Sequence, residues 1–295
     1  DIILGHLQTK KIKNENISDF GSFNIPGLNT FNLDQKEIIK KTLESPFSLI
    51  QGPPGTGKTE IIAALVYKFI ELKKGPVLVC APTKNSVEHV TSQILKTGVN
   101  VVHFSHHKYE NETSDISNIT TSKMIFNLNT PESKELSKLK EKRNLNSIEL
   151  NRFENLIESI ENSIISKADC ICCTCESAGN KKFNNSSFPI VIIDQSTQIV
   201  EPTTLIPILH HCQQVILIGD SFQTTPPVIC SKAEKAGYYS SLFDRLIQIG
   251  LKPFQLTIQY RMHPSLVEFP SKYFYDGIIQ NGFQTNNISF PNIIS

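Results

Sequence analysis

The sequence predicts an α/β fold, with a mostly parallel sheet that carries helices on both faces. Two observations predict it. Short runs of Val, Ile and Leu alternate along the chain with segments of helical periodicity, as in successive βαβ units. A glycine-rich loop also joins the first of these runs to the first long helical pattern.

The predicted strands and helices place several polar residues at one edge of this sheet. Strands are predicted over 47–51, 75–83, 99–104, 168–174, 190–193 and 214–220, and helices over 61–70 and 86–95. Ligands of parallel sheets bind beyond the carboxyl ends of the strands. We therefore expect the glycine-rich loop, Pro82, Thr83, Asp194 and Asp220 to gather at that edge.

A long helical pattern interrupts the strands between residues 132 and 167. Its apolar residues recur mostly at steps of three and four, and Lys and Glu fill many of the other positions. The pattern predicts either a helical hairpin or one long kinked helix that projects from the sheet. Its first half, 134–143, is rich in Lys, and a solvated helix face is favoured there over a contact with phosphates.

Four of the seven cysteines lie in one short stretch, CICCTC at 170–175. A zinc site would need further thiolates or histidines at suitable spacing, and the nearest histidine cluster is His103, His106 and His107. Small apolar side chains on a half-buried strand are the simpler interpretation. We therefore predict a strand here rather than a metal site.

Length and charge limit the classes of protein to which the chain can belong. Its 295 residues suffice for one large or two modest domains. The net charge of +1 gives no strong overall attraction to nucleic acid or anionic membranes, so any polyanion site must be local. No apolar run approaches the roughly 18 residues that a membrane span needs. Because the chain begins at Asp1 rather than at Met, we expect it to be a piece of a longer protein.

The glycine-rich loop, GPPGTGKT at 52–59, is the Walker A pattern in its expected setting between a strand and a helix. Its glycines allow backbone N–H groups to wrap a phosphate chain, and the helix N-terminus adds positive partial charge. Lys58 is predicted to reach the β- and γ-phosphates of ATP, and Thr59 to bind Mg²⁺. The predicted cradle comprises Gly52, Pro53, Pro54, Gly55, Thr56, Gly57, Lys58, Thr59 and Glu60.

Four side chains outside the loop are further candidates for the nucleotide site. The amide of Gln35 can read an adenine edge, although a surface glutamine is usually just solvated. Gln223, which follows Asp220, can contact the γ-phosphate. Tyr260 offers a stacking ring and Arg261 a phosphate-binding guanidinium, with a core tyrosine and a surface ion pair as the alternatives.

Asp194 and Gln195 follow the predicted strand 190–193 and decide what chemistry is expected. A strand-terminal Asp holds Mg²⁺, usually through water, and a Glu normally follows it to orient the attacking water. Gln195 cannot accept a proton as a carboxylate does, and loss of a general base lowers rates by ~10²–10⁴. We therefore predict nucleotide binding with weakened hydrolysis. The catalytic candidates are Lys58, Asp194, Gln195, Gln223 and Arg261.

The order of these motifs resembles that of superfamily 1 helicases, and within them the up-frameshift-like group. The resemblance extends over nearly the whole chain and is carried by residues 49–59, 75–83, 168–175, 235–237, 241–243 and 259–264. It implies ATP-driven 5′→3′ movement on single-stranded RNA or DNA, in nonsense-mediated mRNA decay. It also implies that Gln35 and Tyr260 frame the adenine, and that Pro82 and Thr83 contact the nucleic-acid backbone.

The same resemblance implies a domain organisation, cofactors and partners. Residues 31–250 would form a RecA-like P-loop NTPase domain with the helical insertion at about 115–167, and 1–30 the tail of another inserted subdomain. Residues 251–295 would be only the beginning of a second RecA-like domain, so this piece alone is not expected to unwind a duplex. The implied cofactors are ATP and Mg²⁺. The implied partners are single-stranded RNA or DNA and decay-factor proteins, for a monomer in the cytoplasm or the nucleus.

The chain departs from the family pattern at three positions, and these departures leave alternatives open. The family has Glu where Gln195 stands, typically Asn at Lys84, and Leu at Thr224. A helicase that traps ATP, whether natural or engineered, and an ATP-gated nucleic-acid clamp or scaffold without turnover both fit Gln195. An unrelated P-loop ATPase, such as a transporter, is opposed by the 259–264 motif and by the lack of an LSGGQ signature.

Overall fold

The computed structural model describes residues 3, 23–105, 116–142, 145–283 and 285. The strands in these residues are β1 (Phe47–Gln51), β2 (Val77–Ala81), β3 (Val101–His103), β4 (Cys170–Thr174), β5 (Ile190–Ile193), β6 (Gln214–Gly219), β7 (Phe254–Gln255), β8 (Ile258–Gln259) and β9 (Gln280–Asn281). The α-helices are α1 (Leu33–Glu44), α2 (Lys58–Glu71), α3 (Lys84–Leu95), α4 (Thr121–Asn127), α5 (Pro131–Glu141), α6 (Ser147–Lys167), α7 (Glu201–Ile208), α8 (Ser231–Lys235), α9 (Leu242–Gln248) and α10 (Pro264–Phe274).

A seven-stranded sheet in the order β3-β4-β2-β5-β6-β1-β7 forms the centre, and each neighbouring pair is parallel. Side chains alternate along its strands between two buried clusters. Ile50 and Ile218 pack on the face covered by α1, α2 and α3, whereas Leu49 and Leu217 pack on the face covered by α6 and α9. Because both faces are covered, central strands such as β2 and β5 are continuous apolar runs in the sequence. The predicted fold class is confirmed.

The predicted strands and helices are confirmed, with differences of a few residues at their ends. The second strand is two residues shorter at each end than predicted, since Pro76 and Pro82 lack the N–H that a sheet ladder needs. Helix α3 begins at Lys84, two residues earlier than predicted. The reason is a cap, because Thr83 Oγ1 accepts a hydrogen bond from Ser86 N at 3.2 Å.

The insertion is a helical hairpin, so the alternative of one long kinked helix is wrong. Helix α6 has its own start, a capping box in which Asn146 and Glu149 each accept the other's backbone N–H. Arg152 on α6 donates to both carboxylate oxygens of Glu135 on α5, at 2.9 and 3.0 Å. Lys134 lies exposed, as expected for a solvated helix face. The short helix α4 before the hairpin was not predicted.

The cysteine-rich strand β4 lies between β2 and β3, with helices over both faces of the sheet. Its residues 170–173 are fully buried, so the prediction of a half-buried strand is wrong. Cys170 and Cys172 point to one face, whereas Cys173 and Cys80 point to the other, with their sulfurs 3.8 Å apart. Burial raises the pKa of the Cys80 and Cys170 thiols. These cysteines therefore behave as small core residues.

The last described residues form a small unit beside the sheet. Strand β7 still pairs with β1 at the sheet edge, whereas β8 and β9 form a separate parallel pair that encloses α10 in sequence. The boundary predicted at 250/251 stays a prediction. In the part of the chain that the structure describes, no helix is both long enough and apolar enough to cross a membrane.

Several predictions fall on residues outside the described ranges. Most of the predicted N-terminal tail, 1–30, lies there, as does the start of the predicted insertion at about 115. His106, His107 and Arg143 also lie outside the described residues.

Candidate nucleotide site

The glycine loop connects β1 to α2 at the carboxyl edge of the sheet. Its first residue is tied to the neighbouring strand, because Gly52 N donates to Gly219 O at 3.0 Å. Gly55 and Gly57 have φ angles of 78° and 84°, a backbone region that favours glycine. A Cβ on Gly52 would lie 2.8 Å from Thr56 Oγ1, so the loop closes more tightly than a side chain would allow.

Lys58 is the first residue of α2, directly after this loop, and its reach to the β- and γ-phosphates stays a prediction. Its Nζ donates to the carbonyl oxygens of Gly52 at 2.5 Å and Pro53 at 3.2 Å. Burial lowers the pKa of Lys58, while the nearby carboxylates of Asp220 and Asp194 raise it. The ammonium is therefore held in the loop by carbonyl oxygens and by two negative charges that come from neighbouring strands.

The first turn of α2 presents the remaining residues of the predicted cradle. Gly57 is the N-cap and offers no side chain to the helix N-terminus. Thr59 and Glu60 are half-buried in this turn, and Glu60 Oε1 accepts a hydrogen bond from Asn29 Nδ2 at 3.2 Å. An uncapped helix N-terminus behind a glycine loop is a ready site for phosphate.

Asp194 is buried at the end of β5, beside β2. Its N–H donates to Cys80 O at 2.8 Å, and its Oδ1 accepts from Gln195 N at 2.9 Å. Burial raises the pKa of the Asp194 carboxyl, and the Gln195 N–H, Lys58 and His89 oppose that rise. A carboxylate oxygen is a ligand that suits Mg²⁺, so the chemistry of Asp194 fits the predicted role, and a shared metal site with the Thr59 hydroxyl stays a prediction.

Gln195 adopts a left-handed backbone conformation, with φ 50° and ψ 37°. Its Oε1 accepts a hydrogen bond from Ser86 Oγ at 2.9 Å. Ser86 Oγ in turn lies 2.9 Å from Thr83 Oγ1, and Thr83 is exposed at the start of α3 next to half-buried Pro82. A hydroxyl of α3 therefore joins the candidate catalytic position to the segment predicted to contact nucleic acid.

Asp220 and Gln223 lie at the end of β6, next to the glycine loop. Gln223 Nε2 donates to Asp220 Oδ2 at 2.5 Å, and the contact of Gln223 with a γ-phosphate stays a prediction. Gln51, the last residue of β1, donates to Asp220 Oδ1 at 2.8 Å. The predicted gathering of the loop, Asp194 and Asp220 at one edge is therefore confirmed.

Gln35 is buried, so its interpretation as a solvated surface residue is wrong. Its Oε1 accepts from Asn32 N at 3.1 Å within the capping box of α1, and its Nε2 donates to Thr56 O at 3.1 Å. The side chain thus anchors α1 to the glycine loop. The role at an adenine edge stays a prediction.

Tyr260 and Arg261 contact the glycine loop at Gly55. Tyr260 N donates to Gly55 O at 2.8 Å, and its hydroxyl accepts from Asn32 Nδ2 at 2.7 Å. Its side chain is 39% exposed, so the alternative of a core tyrosine is wrong. Arg261 is exposed, and its Cβ lies so close to Gly55 that a Cβ on that glycine would approach it to 2.6 Å.

Sequence reasoning missed four residues that complete this arrangement. Ser86 was predicted only as a helix start and Gln51 only as a strand end, and Asn32 was given no role. Tyr275 was not singled out, although its hydroxyl donates to Asp220 Oδ2 at 2.7 Å. The sequence offered a signal for Gln51, because it is a polar residue directly before the Walker A motif, whereas no local pattern marks Tyr275.

Two family models match the chain. A family model described as an AAA domain matches residues 30–141 and 105–232, and a second AAA domain model matches residues 238–293. The first model alone covers more than half of the chain.

Several curated proteins are also similar in sequence to this chain over most of its length. "Regulator of nonsense transcripts 1 homolog" of Arabidopsis thaliana is 42% identical, over 98% of this chain and 24% of its own length. The Drosophila melanogaster homologue is 42% identical over 88% of this chain and 22% of its own length. "ATP-dependent helicase NAM7" of Saccharomyces cerevisiae is 41% identical over 92% of this chain and 28% of its own length.

The chain thus spans about a quarter of the length of these curated relatives. The resemblance to up-frameshift-like superfamily 1 helicases, which the motif order predicted, is confirmed by the regulator of nonsense transcripts 1 homologues. The chain belongs to the AAA domain family and is homologous to regulator of nonsense transcripts 1.

Proposed function

We propose that this chain is the ATP-binding core of a superfamily 1 helicase that moves 5′→3′ along single-stranded RNA or DNA in nonsense-mediated mRNA decay. One observation carries the proposal. The segment that contains Tyr260 and Arg261 closes over the glycine loop through the 2.8 Å bond from Tyr260 N to Gly55 O. A ring and a guanidinium from beyond the first sheet are what an ATP-driven motor needs across its phosphate site.

ATP is the substrate that this arrangement fits, with Mg²⁺ as its metal. The glycine loop and Lys58 would hold the phosphates, and the Thr59 hydroxyl and Asp194 carboxylate would hold the metal. Bound Mg²⁺ would neutralise the charge that develops on the phosphates. The chain itself shields the two carboxylates from solvent, since Asp194 and Asp220 are both buried.

Gln195 supports weak hydrolysis. Its amide oxygen is engaged by the Ser86 hydroxyl at 2.9 Å, and an amide does not accept a proton from water at neutral pH. The same observation favours a second candidate function, an ATP-gated nucleic-acid clamp or scaffold without turnover. In both candidates ATP binds, and the two differ in whether a carboxylate at position 195 restores hydrolysis.

The discriminating experiment is Gln195→Glu in the full-length protein, with RNA-stimulated ATP hydrolysis as the measurement. A carboxylate at position 195 can accept the same bond from Ser86, so the substitution changes the charge while it keeps this contact. For a helicase core we expect the rate to rise by ~10²–10⁴. Gln198→Glu is the matched control, because Gln198 is half-buried in the same short helical turn, and it should give no gain.

Three outcomes have different meanings. A gain with Gln195→Glu alone supports the helicase core. No gain, with ATP and RNA binding intact, supports the clamp. Failure of the wild-type protein to bind either Mg-ATP or a single-stranded oligonucleotide at low salt would refute both.

The proposed nucleic-acid contact begins at exposed Thr83, beside Pro82 at the start of α3. Contacts of this kind go to the sugar–phosphate backbone, so binding should depend on salt and be largely independent of base sequence. A cytoplasmic or nuclear location, decay-factor partners and a monomeric state remain part of this proposal.

A further inference from the structure

The side chain of Tyr260 is 39% exposed, yet three contacts hold the residue in place. Its backbone N–H donates to Gly55 O in the glycine loop at 2.8 Å. Its hydroxyl accepts from Asn32 Nδ2 at 2.7 Å. One edge of its ring packs on Gly282, since a Cβ on that glycine would lie 2.4 Å from both Cδ1 and Cε1. The three contacts come from three separate parts of the chain, and together they fix the orientation of the ring.

Asn32 serves two partners with one amide group. It is the N-cap of α1, and its Oδ1 accepts from Gln35 N at 2.7 Å. Because the helix uses the oxygen, the amide nitrogen is the atom that reaches the Tyr260 hydroxyl. Capping needs only an oxygen, and Ser caps a helix about as well as Asn does. The amide therefore supplies a donor to Tyr260 that the cap itself does not require.

Gly282 directly follows β9 and is buried. Its N–H donates to Gln259 O at 2.9 Å, directly before Tyr260, and this bond holds its backbone beside the ring. Carbon atoms in contact prefer about 3.5–4.0 Å, so a Cβ at 2.4 Å from two ring carbons would displace the ring. Gly282 does not have a positive φ. The close approach of the ring, rather than a turn, is therefore what requires glycine here.

We propose that Asn32 and Gly282 are positioning residues that hold the Tyr260 ring in the orientation in which it stacks on the base of a bound nucleotide. The proposal rests on the proposed function, which places Tyr260 at the adenine, and it adds the two residues that orient the ring. A ring that is ordered before binding avoids the loss of affinity that comes from ordering a side chain on binding. The contribution of both residues should therefore depend on a base in the ligand.

The test compares two ligands of the full-length protein. Mg-AMPPNP, a nonhydrolysable ATP analogue, carries a base, whereas Mg-tripolyphosphate carries phosphates alone. Each competes with a fluorescent ATP analogue, and the ratio of the two affinities measures what the base contributes. For Gly282→Ala we expect this ratio to fall about fivefold or more, which is what the loss of one base–aromatic stack corresponds to. The affinity for Mg-tripolyphosphate should stay unchanged.

Asn32→Ser is a milder variant, because it keeps an oxygen for the cap and removes only the donor to Tyr260. We expect the ratio to fall about two- to tenfold, as for a ring that must be ordered on binding. This variant tests the proposal even where Gly282→Ala fails to fold.

Two control variants separate positioning of the ring from a general loss of stability. Asn146→Ser is the control for Asn32→Ser, because Asn146 caps α6 through a capping box of the same kind. Gly277→Ala is the control for Gly282→Ala. Gly277 has a φ of 74°, so Ala strains the backbone there, but no heavy atom lies within 4 Å of the position of the new Cβ. Both controls should leave the ratio unchanged.

The outcomes distinguish this inference from the proposed function. If either Asn32→Ser or Gly282→Ala leaves the ratio as it was, or lowers both affinities equally, the inference is overturned and the helicase proposal stands. In a Tyr260→Ala background neither substitution should change the ratio further, since both act through this ring, and a further fall also overturns the inference. If the wild type fails to bind Mg-AMPPNP or Mg-tripolyphosphate, the phosphate site of the proposed function fails first.

Discussion

Replacing Gly55 by Ala should damage the contact between the glycine loop and the segment that contains Tyr260 and Arg261. Gly55 has a φ of 78°, and an L-residue there costs roughly 1–2 kcal/mol. The new Cβ would also lie 2.6 Å from Arg261 Cβ, whereas carbon atoms in contact prefer about 3.5–4.0 Å. The loop cannot retreat without stretching the 2.8 Å bond from Tyr260 N to Gly55 O.

The two effects together set the expected magnitude. Overpacking of this kind costs about 1–3 kcal/mol, so with the backbone strain the loss of stability is about 2–5 kcal/mol. The residues that must yield are Tyr260 and Arg261, which the proposed function places at the nucleotide. We therefore expect affinity for ATP to fall about tenfold or more, which corresponds to about 1.4 kcal/mol.

Gly98→Ala is the matched control for Gly55→Ala. Gly98 has a φ of 79°, but no heavy atom lies within 4 Å of the position that its Cβ would take. It should therefore lose only the roughly 1–2 kcal/mol of backbone strain and bind nucleotide normally. Urea unfolding and titration with a fluorescent ATP analogue measure the two quantities. Equal stability of both variants, with unchanged nucleotide affinity for Gly55→Ala, would refute the reasoning.

Two further predictions concern Asp194 and Phe183. The pKa of Asp194 is raised in the folded state, so ionising this carboxyl is harder in the folded protein than in the unfolded chain. Its ionisation therefore lowers the free energy of unfolding fully above the folded-state pKa and not at all below the unfolded-state pKa. Asp194→Asn should therefore keep or raise the nucleotide-free unfolding temperature at pH 7 and abolish stabilisation by Mg-ATP; a lower nucleotide-free value would contradict this. Phe183 is fully buried against Phe104 and Phe188, with ring centroids 4.7 and 5.8 Å away. Phe183→Ala should cost about 3–5 kcal/mol in urea unfolding with nucleotide affinity unchanged, and a loss below about 1 kcal/mol would contradict the packing.

Much of the fold follows from local patterns. β1 and β5 have the predicted bounds because each is a short, buried strand rich in apolar residues. Local patterns are weaker where a side chain decides the end of an element, as Thr83 does for α3. For β4 the local pattern predicted the strand but not its full burial, because cysteines do not reveal whether helices cover one face of a strand or both.

The sequence alone determined the loop at 52–59, the residues Asp194 and Gln195 that follow a buried strand, and the family to which the chain belongs. These signals are local, since a strand, a glycine loop and a helix must be neighbours in the chain to bind phosphate.

Tertiary structure alone decided which side chains meet. Ser86 and Gln195 are 109 residues apart in the chain, and Asn32 and Tyr260 are 228 apart, yet each pair is hydrogen-bonded. Tyr275, the residue after α10, contacts Asp220 at the end of β6, and no pattern near Tyr275 announces that contact. Side-chain hydrogen bonds depend on positions to within a few tenths of an ångström, and such positions are set by the strand order and the packing of the whole chain.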